Sequence, residues 1–182
     1  MKKIAFVLVF IIFYSCQNNT VKTNFILDDE IESKINSHLK KMTIADKVGQ
    51  TCQVTLGALM KTDSKNKLIW PHEIDPEKLS VAINDYKIGS ILNVSNHTFD
   101  LERWHEIIKT VQTEAMSSKL GIPIIYGIDA IHGVTYTRNS TLFPQEIGLA
   151  ATWDVEHAKV MGEVTAYETR ASGIPWNFSP VL

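Results

Sequence analysis

Two side chains able to do chemistry, Asp129 and His132, close an apolar stretch in Gly121-Ile-Pro-Ile-Ile-Tyr-Gly-Ile-Asp-Ala-Ile-His-Gly133. A carboxylate at such a point is costly to bury without partners. It accepts two hydroxyl hydrogen bonds, each strengthened by its charge, and adjacent ring hydroxyls of a sugar are spaced to donate them. The competing role for Asp129 is to cap the backbone of its own loop. His132, beside Gly133, suits either contact with the same ligand or a hydrogen bond that orients the loop. A metal centre fits poorly, because no further His or carboxylate stands at a ligand spacing.

The elements around this stretch must hold it in place. Pro123 fixes φ and opens a strand, and Ile124, Ile125, Tyr126 and Ile128 continue it. Such a β-branched and aromatic run suits a strand covered on both faces, as in a parallel sheet. In a β/α barrel the strand C-termini line the active site, where Asp129 would then sit. Other strands are expected at Thr51–Met60, with a turn at Gly57, at Gly89–Val94, and from Trp176 to Leu182. Asn93, Asn96 and His97 follow the second of these as ligand contacts or turn formers.

Helices alternate with the strands. Asp75-Pro-Glu77 opens one that runs to about Tyr86, with Asp as cap and Pro at N1. Asp100 caps Leu101–Leu120, with Trp104, Ile107, Ile108, Val111 and Ala115 inward and Gly121 at C′. Asp154 caps Val155–Ala171, with Val160, Val164 and Tyr167 inward and Glu163 and Glu168 solvated. Upstream, Asp28 and Asp29 start a helix to Lys41 with an apolar stripe of Ile31, Ile35 and Leu39. Thr43 caps the next one, and Asp46 makes a partial capping box. Lys61–Pro71 reads as a surface loop in which Trp70 packs or stacks on a sugar, and Arg138 as an exposed loop residue. The alternation predicts an α/β chain with a parallel sheet.

Four blocks carry a resemblance. Gly127-Ile-Asp-Ala-Ile-His-Gly133 is similar to a segment that glycoside hydrolase family 3 carries near the third strand of its N-terminal barrel. Met42-Thr-Ile-Ala-Asp-Lys-Val-Gly-Gln50 resembles the family's opening helix. Thr141-Leu-Phe-Pro-Gln145 with Gly148-Leu-Ala-Ala-Thr-Trp-Asp154, and Gly173-Ile-Pro-Trp-Asn-Phe-Ser-Pro-Val-Leu182, resemble the blocks that follow. The β-glucosidase and exo-glucanase subgroup is the most similar. The resemblance implies an incomplete (β/α)8 barrel, its first three to four strands with their helices, over residues 29–182. It also implies that Asp129 binds hydroxyls of the sugar and is not the nucleophile. The substrate class it implies is a β-linked oligosaccharide or glucoside, and no cofactor or catalytic metal is expected.

The family's nucleophile comes from a later barrel strand, its acid/base from a second domain, and both would lie past Leu182. The sequence therefore reads as the N-terminal part of a retaining β-glucosidase-like hydrolase, inactive by itself. Its 182 residues are also short of the roughly 250 typical of a complete barrel. Half a barrel would leave two open edges and an exposed core, so instability or aggregation is expected. The other readings are a surface lipoprotein that holds glycans without cleaving them, and a metal-dependent barrel hydrolase.

Lys2 and Lys3 precede the apolar run Ile4–Tyr14, and Ser15-Cys16 follows. A charged n-region, a short apolar core and a small residue before the cut make a signal peptide, and the run is too short to span a bilayer. Phe13-Tyr-Ser-Cys16 resembles a loose lipoprotein box, which makes Cys16 the lipidated residue and residues 17–28 a polar tether. Export to the periplasm or outer membrane, with a lipid anchor in the membrane, is the expected location. Cleavage removes Lys2 and Lys3 and no acid, taking the formal charge from −2 to −4. No basic run appears, which argues against nucleic acid. Cys52 is then the one remaining thiol, expected to be buried.

Overall fold

The computed structural model describes residues 28–94 and 97–181. The expected signal peptide, the expected lipidation site Cys16, most of the expected tether and Asn96 lie outside the described residues. The chain divides into two units, Met1–Lys40 and Lys41–Leu182. Helix α1 (Asp29–Lys41) belongs almost wholly to the first. Asp28 caps it by accepting from the amides of Glu30 and Ile31, and Lys34 pairs with Glu30 one turn away. Its stripe of Ile31, Ile35 and Leu39 is exposed. Among the described residues no helix is long and apolar enough to cross a membrane.

The second unit is built on four parallel strands in the sequential order β1-β2-β3-β4. They are β1 (Gln53–Thr55), β2 (Ser90–Leu92), β3 (Ile125–Ile128) and β4 (Trp176–Asn177). Helices fill the crossovers: α2 (Ile44–Gln50) precedes β1, and α3 (Pro76–Ser80) leads to β2. Next, α4 (Leu101–Ser117) leads to β3, and α5 (Glu146–Ala150) and α6 (Val155–Ala171) lead to β4. This is an α/β fold with the strand order of a (β/α)8 barrel, of which four strands are present among the described residues.

Helix starts follow local chemistry closely. Thr43 and Asp46 complete a reciprocal capping box, so Asp replaces the longer Glu without loss of either bond. The Thr43 amide and hydroxyl hold the Asp46 carboxyl below the usual carboxylate range, with Lys87 at 3.8 Å adding to this. Asp75, Asp100 and Asp154 cap α3, α4 and α6 as their sequence positions require. After α3 the chain continues as a π-helical turn, Val81–Asp85, which carries the helix to Tyr86.

The core forms between the sheet and α3 and α4. Leu56, Met60, Ile91, Trp104, Val111, Tyr126, Ile128 and Val134 are among its most buried members. α4 places Trp104, Ile107, Val111 and Ala115 inward, as the 3.6-residue period predicts. Gly127 lets β4 approach β3: a Cβ there would lie 2.3 Å from the Phe178 ring.

Several expectations are corrected. The first strand is short, and Gly57 falls in a 3-10 helix, Leu56–Leu59, instead of a strand turn. Ile125 is exposed, on the face of β3 opposite the buried Ile124 and Tyr126. α4 stops at Ser117, and Gly121 uses its positive φ in the following turn, where its amide meets the Ser118 carbonyl. α6 buries Thr165 and Thr169, while Val160 and Tyr167 are exposed. Glu168 is not a free solvated side chain; it accepts from the Thr141 amide and hydroxyl. Cys52 is exposed, its Sγ 3.4 Å from the Val48 carbonyl oxygen.

Candidate functional site: a clamped carboxylate at the mouth of the sheet

Parallel pairing sets Leu92 beside Gly127, so β2 and β3 end side by side. Asn93 follows with φ of 50°, a left-handed conformation that Asn tolerates better than most residues. The turn sends its carboxamide across to β3. Asn93 Nδ2 donates to Asp129 Oδ2 at 2.5 Å, and Asn93 Oδ1 accepts from the Asp129 amide at 2.8 Å. The Asn93 backbone is held as well, its amide donating to the Gly127 carbonyl at 2.9 Å and its carbonyl accepting from Tyr126 Oη at 2.6 Å. Burial pushes the Tyr126 phenol far above its ordinary range, so it stays protonated and donates.

Asp129 itself is half-buried. Among the described residues no Lys, Arg or His forms an ion pair with it, and Oδ1 has no hydrogen-bond partner. One oxygen is fixed and the other is free to accept. Such an oxygen can accept from a neutral hydroxyl or from a cationic donor.

The loop after β3 is pinned on several sides. Asn177, on β4, grips the backbone of Ala130: its Oδ1 accepts from the amide at 3.1 Å and its Nδ2 donates to the carbonyl at 3.2 Å. His132 Nδ1 lies 3.1 Å from the Phe143 carbonyl and so carries the proton that bonds it, while the Phe143 amide returns to the His132 carbonyl at 2.9 Å. His132 Nε2 is left without a hydrogen-bond partner among the described residues. Gly133 has φ of 99°, and a Cβ there would meet the Thr141 carbonyl at 2.0 Å. Sequence reading named Asp129, His132 and Asn93; it did not find Asn177, whose partner lies 47 residues away.

Three cavities lie nearby. The largest, about 830 Å³, is an apolar groove between α5, α6 and the end of β4, with Ile131 and Asn177 on its wall. A second, about 400 Å³, gathers Trp70, His72, His97 and Arg138. A third of similar volume lies beside Arg138 and Tyr167. Asp129 lines none of these three.

His97 joins the site to its surroundings through edge-to-face rings, against Phe99 at 5.2 Å, with Phe99 on Trp104 at 5.3 Å and Trp104 on Tyr126 at 5.7 Å. Burial, with the charges of His72 and Arg138, holds the His97 imidazole below its ordinary range.

Residues 43–182 match the model of the glycosyl hydrolase family 3 N-terminal domain. The chain belongs to this family. Over 157 residues this family 3 chain is 38% identical to a lysosomal β-glucosidase of Dictyostelium discoideum, covering 81% of itself and 18% of that protein. It superposes on a family 3 β-N-acetylglucosaminidase from Paenibacillus with a TM-score of 0.58 at 23% identity, over 76% of this chain and 24% of that one, which shows the fold. A variant β-glucosidase from Listeria innocua in complex with laminaribiose gives a TM-score of 0.56 at 27% identity, covering 81% and 18%. The chain thus spans less than a fifth of the length of the lysosomal relative.

Two outcomes follow. Asn93→Ala leaves the Asp129 amide unpaired in a half-buried site, so a urea titration should show about 1–3 kcal/mol of lost stability. His97 should titrate below its unfolded value near 6.5 in NMR spectra. The unfolded chain then binds the proton more tightly, so His97 destabilises the fold as pH drops below about 6.5, and His97→Phe should flatten that part of the pH profile.

Proposed function

We propose that this chain supplies the sugar-holding carboxylate of a retaining glycoside hydrolase of β-glucosidase type, acting on β-linked glucosides or oligosaccharides. The observation that carries the reading is Asp129, with one oxygen clamped by Asn93 and the other unpaired, at the C-terminal end of β3. Family membership and the β-glucosidase relatives support it. Oδ1 accepts from one ring hydroxyl, and the remaining lone pairs of Oδ2 serve a neighbouring one. The carboxamide holds the carboxylate in that orientation before the sugar arrives, which lowers the ordering cost of binding. His132, oriented through Phe143, offers Nε2 as an acceptor to the same ring.

Grip is not cleavage. Retaining hydrolysis needs two carboxylates about 5–5.5 Å apart. The only side chain bonded to Asp129 among the described residues is the amide of Asn93. The 182 residues are therefore proposed to bind and position, with nucleophile and acid/base supplied by other parts of a longer protein. Residues 1–16 serve as a lipoprotein signal, 17–28 as a tether and 29–182 as the barrel segment. Lipid on Cys16 would hold the protein to a membrane at the periplasm or outer membrane; the charged start, short apolar run and Ser15-Cys16 support this.

The purified chain should not turn over an aryl β-glucoside. In calorimetric titration with a β-linked glucose disaccharide, Asp129→Ala should weaken binding by about tenfold to a hundredfold, the loss of hydrogen bonds to a charged acceptor. Turnover that Asp129→Ala abolishes would overturn the division between grip and cleavage. In cells, Cys16→Ser should move the protein from the membrane to the soluble fraction; a variant that stays on the membrane contradicts lipid anchoring.

A further inference from the structure

Asp129 lies one residue past the end of β3, where the sheet ladder has run out. Each peptide group there needs a partner. Ala130 is fully buried, so an unmatched amide on it would be costly. In a parallel strand, successive residues bond alternately to the neighbours on either side. β3 keeps that alternation to its last backbone partners. The Gly127 carbonyl accepts from the Asn93 amide at 2.9 Å on the β2 side, and the Ile128 carbonyl accepts from the Phe178 amide at 3.0 Å on the β4 side.

Beyond Ile128 the alternation continues, with side-chain amides in place of strand backbone. The Asp129 amide turns toward β2 and donates to Asn93 Oδ1 at 2.8 Å. Ala130 turns toward β4, where Asn177 Oδ1 accepts from its amide at 3.1 Å and Asn177 Nδ2 donates to its carbonyl at 3.2 Å. The peptide before Asp129 is thus held from one flanking strand and the peptide after it from the other. Each peptide is planar, so fixing both fixes φ and ψ of Asp129 and the direction of its Cβ.

The neighbours of Asn177 in β4 set its reach. The register places Asn177 beside Ile128. Trp176 and Phe178 on either side of it pack edge-on at 4.7 Å, and Phe178 closes over Gly127, where a Cβ would lie 2.3 Å from its ring. A carboxamide suits this post because one short arm carries both an acceptor and a donor; an ionised Asp would offer acceptors only.

We propose that Asn177 is a positioning residue for sugar binding, acting through the Ala130 peptide on the aim of the Asp129 carboxylate. This rests on the reading of Asp129 as the sugar-holding residue. Asn93 sets one carboxylate oxygen directly, and Asn177 sets the backbone from which the side chain springs. A binding group has to be held within about 0.5 Å and 10–20° of its working geometry. Without Asn177 the carboxylate keeps its bond to Asn93 and swings about it, so Oδ1 meets a ring hydroxyl in fewer of its orientations.

A double-mutant cycle separates this role from that of a prop for the fold. The purified chain is titrated calorimetrically with a β-linked glucose disaccharide as wild type, Asn177→Ala, Asp129→Ala and the double variant. Asn177→Ala should weaken binding about tenfold in the wild-type background, within the coupling range of residues in one hydrogen-bond network. It should leave the affinity of Asp129→Ala unchanged, because no carboxylate remains to be aimed. Hydrogen exchange should quicken at the Ala130 amide in Asn177→Ala, while the Asp129 amide, held by Asn93, stays protected. Where circular dichroism shows Asn177→Ala unfolded, the isosteric Asn177→Asp, which keeps the acceptor and loses the donor, takes its place in the cycle. Equal losses in both backgrounds, or full affinity in Asn177→Ala, overturn the positioning role and leave Asp129 standing. Affinity untouched by Asp129→Ala overturns the reading of Asp129, and this proposal with it. A wild type that does not bind the disaccharide overturns both.

Discussion

The paired hydrogen bonds between the Asn93 carboxamide and Asp129 tie the ends of β2 and β3 together at the C-terminal mouth of the sheet. Everything at that mouth depends on this bridge. A carboxamide carries both donor and acceptor, so one side chain satisfies the Asp129 amide and orients its carboxylate in the same motion. Its position is fixed from behind by the Tyr126 hydroxyl, a donor that burial keeps protonated. The bridge requires Asn93 to turn left-handed directly after β2, which explains an unusual backbone angle at this residue.

Around this bridge the loop after β3 is anchored to β4 and α6 instead of being left to find its own path. Asn177 holds Ala130, and Glu168 holds Thr141. Gly133 permits a backbone approach that any side chain would block. A site on a loop is otherwise less well defined than one on a strand; here the neighbouring elements supply the rigidity. The same neighbours leave the far side of β4 open, where Leu149, Val155, Met161 and Val181 border the apolar groove of about 830 Å³. Val160 and Tyr167 of α6, which the amphipathic pattern set inward, are exposed elsewhere, Tyr167 beside the third cavity.

Edge-to-face rings run inward from the exposed Trp70 to the buried Tyr126. Aromatic pairs in this geometry add modest stability individually, but a continuous series makes the loops after β1 and β2 one stiff body with α4. The depressed His97 belongs to this body: an imidazole packed between rings and beside Arg138 pays a desolvation cost when it charges.

Much of this protein was legible from residue order alone. Helix starts at Asp75, Asp100 and Asp154 were readable because a cap is a contact between residues two or three apart. The α/β class and the position of Asp129 at a strand end were readable because hydrophobic period and turn residues act locally. Four blocks in the right order were enough to mark the family. Tertiary structure alone decided the rest. Asn177 reaches across 47 residues and Asn93 across 36, and no local pattern encodes such pairings. Ile125, Val160 and Cys52 are exposed for the same reason: burial depends on which elements arrive to cover a face, and periodicity states only which residues share one.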